Sequence, residues 1–409
     1  MTSPAPTTSS PQPRHYVEFL IYIAILGAFS SLVNDMYLPT MPAMMREFHT
    51  TPSATQLGLS MAMLGMGIGS LVWGSLSDSR GRKSMLIWSL VIFVIATGLS
   101  LLSRSIGFFV GCRLIQGLGA GGAMVLSYSI PTDYYSGRNL AAVMALVGAI
   151  NGIAPAGSPL LGGFMAESVG WRGIFIVLLA IGVVMTFWSC RMPDSLPPSR
   201  RSAAKSLRQY AQAYMVMFKD RRFMTYVLLK AIGIGVLYAY ISSAPFILQD
   251  HFGFRPLEFG LIFGGNAIAI ALGSMLVMRF RVLKTGLVAG SLIMCAFGIG
   301  DAAVMYFADS FLLYELMSVP MLLGSGMIFA SANSLGMDVG RSDAGTAAAI
   351  LNVIKYIFAA IVAPLVGLGN ILHSTAITFT ALCLITLALA YAASRLTPLQ
   401  EMIKTSSSK

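Results

Sequence analysis

The chain has 409 residues, of which 56% are hydrophobic and 11% are charged, and its mean hydropathy is +0.76. Soluble proteins carry about 25% charged residues, so the composition excludes an ordinary water-soluble fold and indicates that lipid surrounds most of the surface. The four cysteines lie in apolar stretches without a metal-binding spacing, and the four histidines form no zinc pattern. We therefore predict a membrane protein without a metal site.

Twelve apolar stretches are long enough to cross a bilayer, which takes about 20 residues for a hydrocarbon core of about 30 Å. Because lipid offers backbone groups no hydrogen-bond partner, we predict that each stretch is a helix. The first stretch lacks a small-residue cleavage site, which favours a retained helix over a signal peptide. The predicted spans lie near 17–38, 55–76, 84–103, 106–128, 140–164, 172–191, 223–248, 256–280, 285–307, 310–332, 344–368 and 371–394.

The longest connection between spans is rich in proline and in basic residues, and it separates six spans from six. It is interpreted as a solvated linker with a surface helix on anionic lipid, the alternative being a regulatory segment. The fold class expected is all-α, with two six-helix bundles. The predicted units are a disordered tail at 1–16, a bundle at 17–191, the linker at 192–222, a second bundle at 223–394 and a tail at 395–409.

The distribution of basic residues predicts the orientation of the chain. With the N-terminus inside, the segments on that side carry 20 Lys and Arg residues and the opposite loops carry 4, so both termini are expected in the cytoplasm. This bias explains most of the net charge of +11, and nucleic acid is not needed as a partner. Membrane lipid and a small-molecule substrate are the partners expected, and nothing in the sequence requires more than a monomer.

The loop after the second span combines small, acidic and basic residues at a specific spacing. A glycine before it allows close helix packing, a second glycine permits a tight turn, and the acid can pair with a cation or cap a helix N-terminus. The pattern resembles the signature loop of the major facilitator superfamily, with Ser79 where that family usually has a basic residue. The residues that carry it are Gly74, Asp78, Arg80, Gly81, Arg82 and Lys83.

Other spans strengthen the resemblance. Arg113 and the glycines that follow it resemble the buried-arginine motif of the same superfamily. The fifth span resembles the antiporter motif and contains Pro155, Ser158, Pro159, Gly162 and Gly163, with Ser158 at a position that is usually glycine. The segments 34–42 and 243–246 resemble the bicyclomycin and chloramphenicol resistance subgroup of twelve-helix drug/proton antiporters.

The resemblance implies two pseudo-symmetric six-helix bundles, a substrate site between them and alternating access. It implies a transporter of the bacterial inner membrane, not an enzyme, that exports drugs or other small amphipathic compounds with protons as the coupling ion and no cofactor. A dedicated exporter of one metabolite or siderophore, or an importer, would use the same scaffold. The proline and glycine residues of the fifth span would make it a bendable gate.

Charged side chains at membrane depth are costly and indicate function. Asp35 and Arg113 lie at comparable depth on the first and fourth spans. A nearby cation favours the ionised carboxylate and burial favours the protonated acid, so Asp35 is a candidate for proton coupling with Arg113. The alternative is a static ion pair that ties two helices together.

Further polar residues are candidates for the substrate cavity, although each can instead serve helix packing. Lys230 is close enough to one membrane face to snorkel, whereas Lys355 is near mid-depth. Asp301 and Glu315 are expected at solvated helix ends. The cavity candidates are Asn34, Tyr37, Asn151, Lys230, Tyr238 and Lys355.

Overall fold

The computed structural model describes residues 16–201 and 214–395, which form helices joined by short connections and contain no strand. Residues 1–15 and 396–409, which make up most of the tails predicted at 1–16 and 395–409, and residues 202–213 in the middle of the predicted linker lie outside the described residues. The helices of the N-terminal half are α1 (Tyr16–Asp35), α2 (Met41–Glu47), α3 (Pro52–Arg80), α4 (Arg82–Leu101), α5 (Ile106–Tyr134) and α6 (Gly137–Arg191).

The helices of the C-terminal half follow the same plan of six crossings. They are α7 (Arg221–Phe246), α8 (Pro256–Leu276), α9 (Leu283–Phe307), α10 (Phe311–Val339), α11 (Ala344–Leu365) and α12 (Ile371–Ser394). Among the described residues, eleven helices are long and apolar enough to span a membrane.

Helix α6 is 55 residues long and contains two membrane crossings, which brings the total to twelve. A helix rises about 1.5 Å per residue, so 55 residues exceed one bilayer crossing more than twofold. Gly170 interrupts the helix with a φ of +63°, a backbone conformation that residues other than glycine rarely adopt. The chain therefore turns at Gly170, and the predicted twelve spans in an all-α fold are confirmed.

Each half contains an even number of crossings, so α1 begins and α12 ends at the membrane face where the connection between the halves lies. We call this the linker end and the opposite face the far end. Glycines bring helices together inside each half: a β-carbon on Gly117 would lie 2.0 Å from the Ala62 carbonyl oxygen, and one on Gly273 would lie 2.0 Å from that of Leu323. The α3–α5 pair of one half is thus repeated by the α8–α10 pair of the other, as expected for membrane helices that pack through small residues.

Contacts between the halves concentrate toward the far end. Among the hydrogen bonds between the halves in the described residues, the one nearest the linker end is donated by the Tyr356 hydroxyl to the Met124 sulfur at 3.2 Å, near mid-depth. The far-end contacts are Gln56 Nε2 to the Ser242 carbonyl at 2.8 Å, Ser53 Oγ to the Pro364 carbonyl at 2.8 Å, Gln249 Nε2 to the Pro39 carbonyl at 3.0 Å, and an Arg46–Asp250 ion pair at 2.8 Å.

Helices α6 and α8 separate toward the linker end. Near the far end, a β-carbon on Gly264 would lie 3.1 Å from the Ala156 carbonyl oxygen. Gly152 and Gly148 lie one and two turns away from Ala156 on the same face of α6, yet a β-carbon on either would meet nothing within 4 Å. The space between the halves is therefore closed at the far end and widens toward the linker end.

Candidate functional site

Arg113 is fully buried inside the N-terminal half. Its guanidinium donates from Nε to the Gly58 carbonyl at 3.2 Å, from Nη2 to the Val33 carbonyl at 3.1 Å and from Nη1 to Gln116 Oε1. The same group lies 4.5 Å from the centre of the Tyr37 ring, where the cation is attracted to the aromatic face. Neutral groups of α1, α3 and α5 thus hold the positive charge in place.

Asp35 is the last residue of α1, and Ser31, one turn earlier, lies within hydrogen-bonding reach of its carboxyl. The ion pairs among the described residues do not include Asp35 with Arg113, although the two are close enough for their charges to interact. The side chain is partly accessible and lies near Tyr238 and Tyr356 of the other half. Asp35 therefore lies at the boundary between the halves, whereas Arg113 is enclosed in one of them.

Replacing Arg113 with Ala is expected to destabilise the protein, because the carbonyls of Gly58 and Val33 and the Gln116 side chain lose a buried donor. A buried acceptor without a donor costs about 1–3 kcal/mol, so the melting temperature in detergent should fall by several degrees. Arg113→Lys retains the charge and part of the hydrogen bonding, so its melting temperature should fall less. An unchanged melting temperature for Arg113→Ala would contradict the structural role of this network.

The other predicted cavity residues separate into two groups. Asn34 is buried and donates to the Met66 sulfur at 3.3 Å, and Tyr37 is fully buried beneath the Arg113 guanidinium; both lie within the N-terminal half. Asn151 is partly exposed and donates to the Tyr128 hydroxyl at 2.9 Å. It precedes Gly152 on α6, and its neighbours Tyr128 and Gly27 belong to the same half.

The two lysines lie in the C-terminal half. Lys230 is 1% exposed, and its ammonium donates to Asn333 Oδ1 at 2.8 Å, so it does not snorkel to the membrane surface. Lys355 is partly exposed, and its ammonium lies 4.1 Å from the centre of the Tyr356 ring. Tyr238, on α7, lies near Tyr356 and Asp35.

Asp301 shows where interpretation of the sequence failed. It is fully buried and accepts a hydrogen bond from the Ser318 hydroxyl at 2.8 Å, while Glu315 accepts from Asn266 at 3.0 and 3.1 Å. The expectation of a solvated helix end is therefore wrong for Asp301, which faces the interior of its bundle. The available signal was the set of polar residues on neighbouring spans, Asn266 and Ser318, which supply the partners.

Asp301→Asn should leave the melting temperature within a few degrees of wild type. The ion pairs recorded for the described residues give Asp301 no cation, and a buried charge without a partner is costly, so a neutral amide that still accepts from Ser318 should be tolerated. Asp301→Leu, which removes that acceptor, should be less stable than Asp301→Asn. Equal losses for the two variants would contradict this interpretation.

The signature loop forms a polar cluster at the linker end. Arg82 pairs with Asp78 at 2.6 Å and with Asp133 at 3.1 Å, and Gly81 adopts a φ of +100°. Asp194 accepts from the backbone amides of Arg82 and Lys83 at 3.0 and 3.3 Å. The start of the predicted linker is thus attached to the loop of its own half, while Gly74 packs within that half against α5 and Arg80 is exposed.

The predicted gate residues lie where α6 packs against α8 and against the turn that follows α1, near the far end. Pro155 and Pro159 are inside α6, and Ser158 is buried. A β-carbon on Gly162 would lie 1.7 Å from the Met36 carbonyl oxygen, and one on Gly163 would lie 2.4 Å from that of Pro256. This part of α6 therefore contacts both halves.

Two six-helix halves around a space closed at one face, with ionisable side chains at their boundary, define a multi-pass membrane transporter. Residues 23–364 match the Major Facilitator Superfamily, and the chain belongs to this superfamily. The predicted family and the prediction of a transporter rather than an enzyme are confirmed.

Relatives over most of the chain carry transport or resistance names. The sequence is 29% identical to the uncharacterized MFS-type transporter YdgK of Bacillus subtilis over 92% of this chain and 94% of that protein. It is 25% identical to the bicyclomycin resistance protein homolog of Haemophilus influenzae over 91% and 95%. It is 32% identical to a chloramphenicol resistance protein of Pseudomonas aeruginosa over 61% and 59%.

A solved structure supports the fold. A bacterial homolog of the human lysosomal transporter Spinster, in an inward-facing and unoccupied conformation, superposes with a TM-score of 0.76 at 16% identity, over 94% of this chain and 98% of that one. The similarity concerns the arrangement of the helices alone.

Proposed function

We propose that this protein is a proton-coupled exporter of drugs and other small amphipathic molecules that works by alternating access. The observation that carries the proposal is the position of Asp35, a partly accessible carboxyl at the boundary between the halves with the Arg113 charge nearby but not paired to it. A carboxyl that is free of a direct ion pair can exchange its proton as its surroundings change. The resistance names of the relatives support the drug class.

The linker end would face the cytoplasm, because most basic residues lie there. In this arrangement the substrate enters from the cytoplasm into the space below the far-end contacts, and its binding displaces the proton from Asp35. The halves then rock, the far end opens, and the substrate leaves as Asp35 takes up a proton from outside. We further propose a monomer in the bacterial inner membrane, with lipid around it and both termini in the cytoplasm.

The arrangement of Arg113 supports different roles for the two residues, with a constant charge on Arg113 and proton exchange at Asp35. Because neutral groups fix the guanidinium within one bundle, its charge stays constant while Asp35 gains and loses a proton. The fixed cation would stabilise the carboxylate when the proton leaves. Substrate and proton would therefore occupy the space beside Asp35 in turn.

The test uses purified protein in proteoliposomes with an acidic interior and labelled chloramphenicol, ethidium or bicyclomycin outside. Inside-out molecules should accumulate at least one of these compounds, and a protonophore should abolish the accumulation. Accumulation that does not depend on the pH gradient would exclude proton coupling. Failure of all three compounds to accumulate, with folded protein confirmed by its melting curve, would exclude the proposed drug class.

A further inference from the structure

Two lysines of the C-terminal half lie in membrane-spanning helices and have no acidic partner among the described residues. Lys230 of α7 is buried with its ammonium on Asn333, and Lys355 of α11 is partly exposed with its ammonium over the Tyr356 ring. Helices α7 and α11 pack against each other, so the two lysines lie on neighbouring helices. Within residues 16–201 and 214–395, neither lysine belongs to a recorded ion pair.

This arrangement is unfavourable unless something compensates the positive charge. A lysine at membrane depth is energetically costly, and two neighbouring lysines add mutual repulsion. An amide and aromatic rings orient the ammonium groups but do not neutralise them. A neutral side chain would satisfy packing at lower cost, so packing alone does not explain the pair.

The position of Lys355 connects the pair to the space between the halves. The adjacent Tyr356 donates to Met124 of the N-terminal half at 3.2 Å, so this stretch of α11 lies at the boundary between the halves. Lys355 is partly exposed, whereas Lys230 on the adjacent helix α7 is buried. Phe329, with its ring centre 5.3 Å from the Lys230 ammonium, and Tyr356 supply aromatic surface beside the charges.

We propose that Lys355, backed by Lys230, binds the anionic group of the transported compound, and that the preferred substrates are amphipathic organic anions with an aromatic body. This inference rests on the proposed transport function and specifies the substrate class of the same space. The carboxylate or equivalent group lies on the Lys355 ammonium, and the apolar body packs against Tyr356 and neighbouring rings. Asp35 then serves the proton and the two lysines serve the substrate, on opposite halves.

The probes are chloramphenicol, which is neutral, and its succinate half-ester, which adds one carboxylate to the same body. Binding of each to the full-length purified protein is measured in detergent by calorimetry, without a pH gradient. Wild type should bind the half-ester at least about tenfold more tightly than chloramphenicol, the factor expected for one hydrogen bond to a charged group. Lys355→Gln should remove that preference and leave chloramphenicol affinity within about twofold, and Lys230→Gln should reduce the preference.

Two further variants exclude general charge and packing effects. Lys219→Gln removes one positive charge from an exposed position outside the spans and should bind like wild type. Lys355→Arg keeps the charge and should retain most of the preference. Equimolar chloride in place of gluconate should not abolish half-ester binding.

Three results would overturn the proposal. The first is that wild type shows no preference for the half-ester, or binds neither compound. The second is that the preference persists in the double variant Lys230→Gln/Lys355→Gln. The third is complete competition by chloride, which would assign the lysines to an inorganic anion. Failure of the proposed function is distinguishable, because it appears in proteoliposomes as uptake that is independent of the proton gradient, whereas these outcomes concern binding alone.

Discussion

Replacing Asp35 with Asn is expected to abolish substrate-induced proton release while leaving the protein folded. Asn has nearly the shape of Asp and can still bond to Ser31, but it carries no exchangeable carboxyl proton. Purified wild type in weakly buffered detergent should acidify the solution when a transported compound is added, and Asp35→Asn should not. Accumulation against a gradient in proteoliposomes should disappear in the same variant, while downhill exchange of the compound can continue.

Asp309→Asn is a matched control, because Asp309 is a highly exposed carboxylate at the far end that pairs with His251. It should release protons like wild type. If Asp35→Asn also released protons normally, the coupling acid would lie elsewhere, and Asp35 would have a structural role near Arg113. If neither wild type nor control released protons although binding was measured separately, the antiport mechanism would be excluded.

The helices were predictable from the sequence because hydropathy alone determines which segments enter lipid. The spans from 17–38 to 371–394 correspond to the helices observed, and only the turn at Gly170 is absorbed into one long helix. The signature loop was also readable, because its residues interact over short sequence distances, as Arg82 does with Asp78.

The partners of charged residues were not predictable, because they depend on which face of a helix meets which neighbour. The positions of Asp35 and Arg113 within their spans predicted that they lie at similar depth in the membrane. The orientation of α5 about its axis, which the sequence does not give, directs the Arg113 guanidinium to carbonyls of α1 and α3. The same limit explains Asp301. Its position near a helix end predicted contact with water, but its side chain faces the interior of the bundle. Hydropathy indicates how deep a residue lies in the membrane, whereas helix packing determines which neighbour its side chain faces.

Gly163→Ala is expected to block the transport cycle by preventing closure of the far end. The added β-carbon would lie 2.4 Å from the Pro256 carbonyl oxygen and 3.0 Å from the Leu257 α-carbon, well inside the 3.4–4 Å of ordinary contact. Both neighbours are backbone atoms of α8 in the other half, so no side-chain rotation relieves the clash. The halves must move apart at the far end, and accumulation of substrate should fall to a small fraction of wild type.

Spin labels at His49 and Asp309, exposed far-end positions of the two halves, would report the separation, and their mean distance should increase in Gly163→Ala. Gly157→Ala is the matched control on the same helix, because its β-carbon would meet nothing within 4 Å; it changes the intrinsic helix preference equally, by up to about 1 kcal/mol, and should preserve transport and distance. Wild-type transport and an unchanged distance in Gly163→Ala would show that α6 and α8 can shift without opening the far end, and the gate would then have to lie elsewhere. A longer distance with transport lost would instead identify the close approach of α6 and α8 as the contact that each cycle must make and break.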